Sequence, residues 1–387
     1  SLGNQVMDDL GNFPYLATYG TNSSYNYLIN GSKPVIVKAP GLVAPDFTWE
    51  TVTQMDFGFD ASFLNNRLTG TFDWYRRNTK DMLVAGATLP ATLGASVPKS
   101  NSADMKTIGW ELSLGWNDRL ENGFSYWVKG VLSDYQATIT KYAGNDAGFY
   151  SQSDGDGKYY VGQKIGEIWG YHSNGLFQSD DEAATIDQSE LYAGKWGAGD
   201  VKYEDLDNDG KITKGEETIY NPGDKSIIGN KTPRYQFGIT VGFDYKNFDF
   251  EMFWQGTGKR DYMLSGAQFW GFTSQWDVPY TPALDYWTET NTDAYFPRPG
   301  WQNGGNRVTS DRYLQSAAYG RLKNLTVGYT IPKNLTTKWG ISRLRLYVTG
   351  ENLLTITPLN DAFDPETLGG MTYPINRKVA IGLNLTL

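Results

Sequence analysis

The chain has 387 residues, 40% hydrophobic and 15% aromatic, which is enough for a large core and too apolar for a disordered segment. Its formal net charge of −9 excludes nucleic acid, whose phosphate backbone needs clustered basic charge in its partner. Cysteine is absent and no uninterrupted apolar run approaches the roughly 18 residues of a spanning helix, so disulfides, thiolate sites and a helical membrane protein drop out, while a membrane β-barrel, whose strands alternate, does not.

In chain order, residues 1–48 carry no sustained periodicity and read as a loop. Met55, Phe57, Phe59 and Phe63 then share one face of a strand, as do Leu68, Phe72 and Trp74 after Asn65 and Asn66, which predicts a hairpin. A long loop is expected over 77–106. Trp110, Leu112, Leu114 and Trp116 pair by the same logic with Phe124, Tyr126, Val128 and Leu132 across the turn 117–123. The longest loop, 135–234, holds one short helix, Asp180 to Gln188, announced by the capping box Ser179-Asp180-Asp181-Glu182. Tyr235, Phe237, Ile239, Val241, Phe243 and Tyr245 form a strand that turns at Lys246 and Asn247 into Phe248, Phe250, Met252 and Trp254. After a second long loop, 258–318, come strands at Leu325 to Ile331 and Leu344 to Val348, and a further loop over 352–376. In the terminal strand Val379, Ile381, Leu383, Leu385 and Leu387 oppose Ala380, Gly382, Asn384 and Thr386. About nine strands make the fold all-β and antiparallel.

Short links near 64–67, 117–123, 246–247 and 332–342 alternate strictly with the long loops. Because each strand reverses direction, all short links lie at one end of the sheet and all long loops at the other. That asymmetry belongs to a transmembrane β-barrel with short periplasmic turns and long extracellular loops. Trp116, Phe124, Tyr245, Phe248 and Tyr329 fall at the short-turn rim, where an interfacial aromatic girdle sits. Such barrels have an even number of strands and no open edge in lipid. Nine strands without a leader are therefore expected of the C-terminal portion of a larger barrel, residues 1–387, with its other strands elsewhere in the protein.

The sharpest motif is DLDNDGKITKGE, Asp205 to Glu216, inside the longest loop. Asp205, Asp207 and Asp209 at alternate positions, the Lys211 carbonyl and Glu216 match the oxygen ligands of an EF-hand-like calcium loop at 205–216, and Gly210 permits its sharp turn. The flanks read as extended, so the expected role of calcium is to rigidify the loop. Trp169, Trp196, Trp270, Trp276, Trp287 and Trp301 all fall in long loops, where flat aromatic faces suit sugar rings. Trp270 and Trp276, with Gln268, Gln275 and Asp277 as hydrogen-bonding neighbours, are the candidate substrate contacts. A Ser-His-Asp triad would depend on the lone His172, which reads as a plain loop residue, and no nucleophile elbow is present. No catalytic residues are assigned, and the chain is not read as an enzyme.

Several stretches carry a family resemblance: NNRLTGTFDWYRRNTKDML at 65–83, KTIGWELSLGW at 106–116, VKYEDLDNDGKI at 201–212, YGRLKNLTVGYTIPKNL at 319–335, RLYVTGENLLTIT at 345–357 and YPINRKVAIGLNLTL at 373–387. Together they resemble the C-terminal barrel half of SusC-type TonB-dependent transporters. The resemblance implies a 22-stranded barrel with an N-terminal plug, absent here along with the TonB box, in the outer membrane of a Gram-negative bacterium with the C-terminus periplasmic. It further implies a SusD-like lipoprotein closing the extracellular mouth, and import of an oligosaccharide, or in some members a peptide, energised by the TonB complex. One departure is the terminal Leu387, where an aromatic residue is more usual. A secreted β-rich glycan-binding protein and a surface glycosidase are the rival readings.

Overall fold

The computed structural model describes residues 2–5, 15–22, 28–29, 31–33, 35–45, 47–86, 90, 92, 94–150, 159–192, 195–368 and 373–387. One antiparallel sheet dominates it. Numbering only the strands of this wall, they are β1 Leu2–Gln5, β2 Glu50–Phe63, β3 Leu68–Ala85, β4 Lys99–Arg119, β5 Ser125–Tyr142, β6 Arg234–Tyr245, β7 Phe248–Lys259, β8 Tyr319–Thr330, β9 Arg343–Ile356 and β10 Lys378–Thr386. They pair strictly in that order, a meander with β1 and β10 at its two edges. Nine of the ten are the strands expected from alternation. The tenth, β1, pairs with β2 through Leu2 opposite Thr53 and lies in the segment read as a loop.

Register turns alternation along each strand into two faces of the wall, because residues directly opposite one another share a side of the sheet. Phe63, Leu68, Trp116, Val128, Val241, Met252, Leu325, Gly350 and Val379 form one unbroken row across β2 to β10. On the other side Asp60, Thr71, Ser113, Val131, Gly238, Gln255, Arg321 and Thr355 form a polar row. Among the described residues nothing covers the apolar face: Phe57 is 70% exposed and Ile381 82%. Folded chains in water rarely expose apolar patches beyond a few hundred Å². Nine strands about 4.8 Å apart make this face far larger, and its natural solvent is lipid.

Two glycines on the polar face let rings lie flat on the wall. A Cβ on Gly242 would stand 2.2 Å from the Trp127 ring, and one on Gly382 would stand 2.3 Å from Tyr347. At the short-turn end the aromatics cluster as expected. Phe124 stacks on Phe243 at 5.5 Å, Phe248 lies 4.7 Å from Tyr329, and Trp116 Nε1 donates to the Tyr126 hydroxyl at 3.1 Å.

The wall is taller than alternation alone predicts. β3 and β4 continue to Ala85 and from Lys99, so the connection expected over 77–106 shrinks to 86–98. A bulge at Asp81, whose φ is +57°, hides the continuation by breaking the period of two. Side chains satisfy the bulged backbone: Asp104 accepts from the Asp81 N–H at 3.0 Å, Asn101 donates to the Asp81 carbonyl at 2.6 Å, and buried Glu50 accepts from the Leu83 N–H at 3.0 Å. The helix expected from Asp180 to Gln188 spans Asp180–Ala183. Ser179 Oγ caps the Glu182 N–H as expected, but the Glu182 carboxylate accepts from Gln178 N–H, one residue earlier than in a standard capping box. Beyond its end, Gln188 is wholly buried and its side chain bonds the Val201 carbonyl and the Tyr203 N–H.

Candidate functional site

The long connections at the far end of the wall do not remain separate loops. Residues from 171–212, 264–317 and 359–368 share one core, with Tyr171, Tyr203, Phe269, Phe296 and Tyr313 each no more than 3% exposed. Burial pushes the Tyr203 and Tyr192 phenols far above their ordinary range, so both hydroxyls stay protonated and donate. Tyr203 bonds the Gly305 carbonyl at 2.6 Å and Tyr192 bonds Asn306 Oδ1 at 2.7 Å. Asp200, fully buried, is the polar centre of this loop domain. It accepts from Gly197 N–H at 2.9 Å, Arg298 at 3.0 Å, Asn303 at 3.0 Å and Asn306 at 2.9 Å.

A second cluster ties the loops to the wall. Arg321 of β8, 2% exposed, bonds Asp364 and pairs with Glu366 at 3.2 Å, while Lys323 reaches Glu366 at 2.9 Å. Sequence reasoning missed both clusters. Their side-chain partners lie 43 to 106 residues apart, and no local pattern links them.

The acidic loop is folded as a turn around its own carboxylates. Asp205 accepts from the N–H groups of Asn208 at 2.7 Å and Gly210 at 2.8 Å, and Asp209 accepts from Lys211 N–H at 2.8 Å. Gly210 takes φ +83°, which the sharp turn requires. Carboxylate oxygens of Asp205, Asp207 and Asp209 lie within 4.8 Å of one another, and Glu216 stands outside that group. Ile212, 1% exposed, anchors the loop in the domain core, and its N–H bonds the Asp187 carbonyl at 2.7 Å. Behind the loop, buried Asp224 closes its ends by accepting from Leu206 N–H and Thr213 N–H, both at 2.7 Å. Burial, and then the charges of Asp207 and Asp205, hold the Asp224 carboxyl above its ordinary range. Three convergent carboxylates with a fourth behind them form a site that suits a hard divalent cation.

His172 stands between partners from distant loops: Nδ1 lies 2.7 Å from Asp311 and Nε2 2.7 Å from Ser226. The trio has the connectivity of a hydrolytic triad, but Ser226 sits within a paired strand opposite Gly170 and not on the sharp turn that presents a nucleophile. The arrangement braces Lys225–Asn230 and residues 310–313 against His172.

The two tryptophans singled out from the sequence lie in different surroundings. Trp270 packs edge-on against Tyr313 at 4.6 Å and Phe269 at 5.0 Å within the loop core. Trp276 is 84% exposed. Near it Asp277 turns inward, accepting from the Thr273 hydroxyl at 2.6 Å and from Ser274 N–H at 2.7 Å. These bonds, the Thr273 hydroxyl first, lower its pKa. Gln268 donates to the Ala362 carbonyl at 2.9 Å, so it serves the loop core. Val278, Tyr280, Leu284 and Trp301 are exposed in the same region of the chain.

Residues 7–353 match the sequence model of a family described as TonB dependent receptor-like, beta-barrel. The chain is 29% identical over 409 aligned positions to TonB-dependent receptor P3 of Formosa agariphila, covering 96% of this chain and 38% of that protein. It is 26% identical over 390 positions to TonB-dependent receptor SusC of Bacteroides thetaiotaomicron, covering 99% and 36%. Among solved structures it resembles the RagAB peptide transporter, with a TM-score of 0.75 and 21% identity over 99% of this chain and 40% of the other. The chain thus spans about two fifths of the length of the relatives it matches.

Proposed function

The chain belongs to the TonB-dependent receptor β-barrel family, and we propose that it supplies wall strands and loops of a SusC-type transporter that imports an oligosaccharide across the outer membrane of a Gram-negative bacterium. The carrying observation is the wall itself, with an apolar face across nine strands, a polar face behind it, and the five longer connections on one end. On this reading the apolar face meets lipid, the polar face lines the lumen, the long loops are extracellular and the C-terminus is periplasmic. The exposed apolar residues Trp276, Val278, Tyr280 and Trp301 suit a SusD-like surface lipoprotein seated on the mouth, or substrate held beneath it. Energy comes through TonB acting on parts of the transporter outside this chain, and no enzymatic step is assigned to it.

Uptake by whole cells tests this. With a panel of fluorescent oligosaccharides and peptides, deletion of the gene or collapse of the proton-motive force should abolish entry of at least one saccharide. Entry of peptides alone would replace the oligosaccharide reading with a peptide importer, and unchanged uptake across the panel would remove the transport reading.

The acidic loop is read as a calcium site, with Asp205, Asp207, Asp209 and the Lys211 carbonyl as ligands and Glu216 swinging in to complete the set. Repulsion among the three carboxylates and buried Asp224 is what a bound cation relieves. The connection runs from 143 to 233, since β5 continues to Tyr142, and chelation should raise protease cleavage within it and leave the barrel intact. Asp207→Asn with Asp209→Asn should reproduce the effect and make it insensitive to chelator. Cleavage that is the same with and without chelator, or metal analysis finding no ion at millimolar calcium, would count against the site.

A further inference from the structure

Beside the Lys225–Asn230 strand the loop domain holds a cavity of about 430 Å³, within the range of small-molecule sites and separate from the acidic loop and Trp276. Its platform is Trp169, held in place by the Tyr150 ring stacked on it at 4.1 Å and 10°, with Tyr262 contributing a second aromatic wall. An aromatic surface of this kind suits the C–H face of a pyranose.

The charges around the cavity are unequally spent. Lys225 pairs with Glu217 at 2.8 Å and lies 5.5 Å from the centre of the Tyr171 ring. Glu167 is taken by the Tyr160 hydroxyl and by Lys164 N–H at 3.1 Å. Lys231 differs. Its backbone is fixed, the N–H donating to the Gly166 carbonyl at 2.8 Å and the carbonyl accepting from Arg260 at 3.1 Å, yet its ammonium has no ion-pair partner among the described residues. Glu167 is held by neutral donors alone, so Lys231 is the cation at the edge of the aromatic cavity left to meet a charge on a ligand.

We infer that the cavity is a peripheral saccharide subsite for a uronic acid, with the pyranose lying against Trp169 and Tyr262 and its carboxylate meeting Lys231. The inference rests on the saccharide reading of the transporter. Hydroxyls of the sugar would find acceptors in Glu217 and Thr309, which line the same cavity.

The test uses the intact transporter in detergent, with digalacturonate, neutral galactobiose and the dipeptide Ala-Glu as probes for calorimetric binding. Digalacturonate should bind about tenfold tighter than galactobiose, a difference of ~1.4 kcal/mol. Lys231→Gln, which keeps the stem and removes the charge, should erase that preference with an unchanged melting temperature. Trp169→Phe should weaken both sugars, and if it fails to fold the Lys231→Gln comparison still decides. Equal affinity for the two sugars, a preference that survives Lys231→Gln, tighter binding of the dipeptide, or no binding at millimolar concentration would each overturn the subsite. Whole-cell uptake separates the two readings. Saccharide uptake by cells whose purified protein shows no preference defeats the subsite alone, whereas Lys231-dependent binding without any saccharide uptake defeats the transport reading alone.

Discussion

Asp200→Ala is expected to loosen the loop domain by roughly 3–5 kcal/mol while leaving the wall assembled. The carboxylate is fully buried and holds Gly197 N–H, Arg298, Asn303 and Asn306 at once. Removing it leaves buried donors without an acceptor, each costing about 1–3 kcal/mol, although Arg298 is partly exposed and can turn to water. Asp200→Asn keeps the volume and one acceptor oxygen but points an amide at donors, so it should fall between wild type and Asp200→Ala. Hydrogen exchange is the readout: amides in 177–203 and 298–306 should lose protection while those of β6 to β9 keep theirs. Unchanged protection in the loop segments would show that Asp200 is not the centre of the domain.

The second large effect contrasts neighbours on β10. Leu383 faces the same side as Leu346, the uncovered apolar face, while Asn384 lies opposite Arg345 on the polar face. An Arg on a lipid face costs about 2–4 kcal/mol at mid-bilayer and less toward the interface, where Leu383 shares a row with Leu346 and Tyr329, and a lumenal one mainly changes the charge of the pathway. Leu383→Arg should therefore sharply lower the amount of assembled barrel in the outer membrane, and Asn384→Arg should assemble. The lumenal charge would then stand beside Arg345, which already pairs with Asp249. Equal assembly of the two variants would contradict the assignment of faces.

The wall was legible in the sequence because its information is local. A period of two, carried by residues such as Phe237, Ile239 and Val241, needs no knowledge of distant partners, and tight turns at Asn65 and Lys246 mark where strands reverse. Legibility ended where the period broke, at the Asp81 bulge, and where a strand was short, as in Leu2–Gln5. The acidic loop was visible as a motif, but the withdrawal of Glu216 from the group of three and the approach of Asp224 from behind depend on how the chain returns after Asn221. The loop domain was not legible at all as a domain. Asp200 reads as one more acid among 43, and only the fold brings it to Asn306. His172 illustrates the same limit, since its two partners come from positions 226 and 311. Trp270 and Trp276 look alike in sequence, yet one is edge-packed in a core and the other is exposed, because burial is decided by segments that arrive from elsewhere.

The central claim is that this wall separates lipid from a polar lumen, and spin labels placed singly from 379 to 386 in the intact transporter, reconstituted in bilayers, test it most directly. Collision with dissolved oxygen, which concentrates in the bilayer, should be high at 379, 381, 383 and 385 and low at 380, 382 and 384, in step with the register of β10 against β9. A water-soluble nickel complex should show the opposite order. Equal protection of both sets from oxygen would mean that the apolar face packs against protein, and the membrane-wall account would be contradicted.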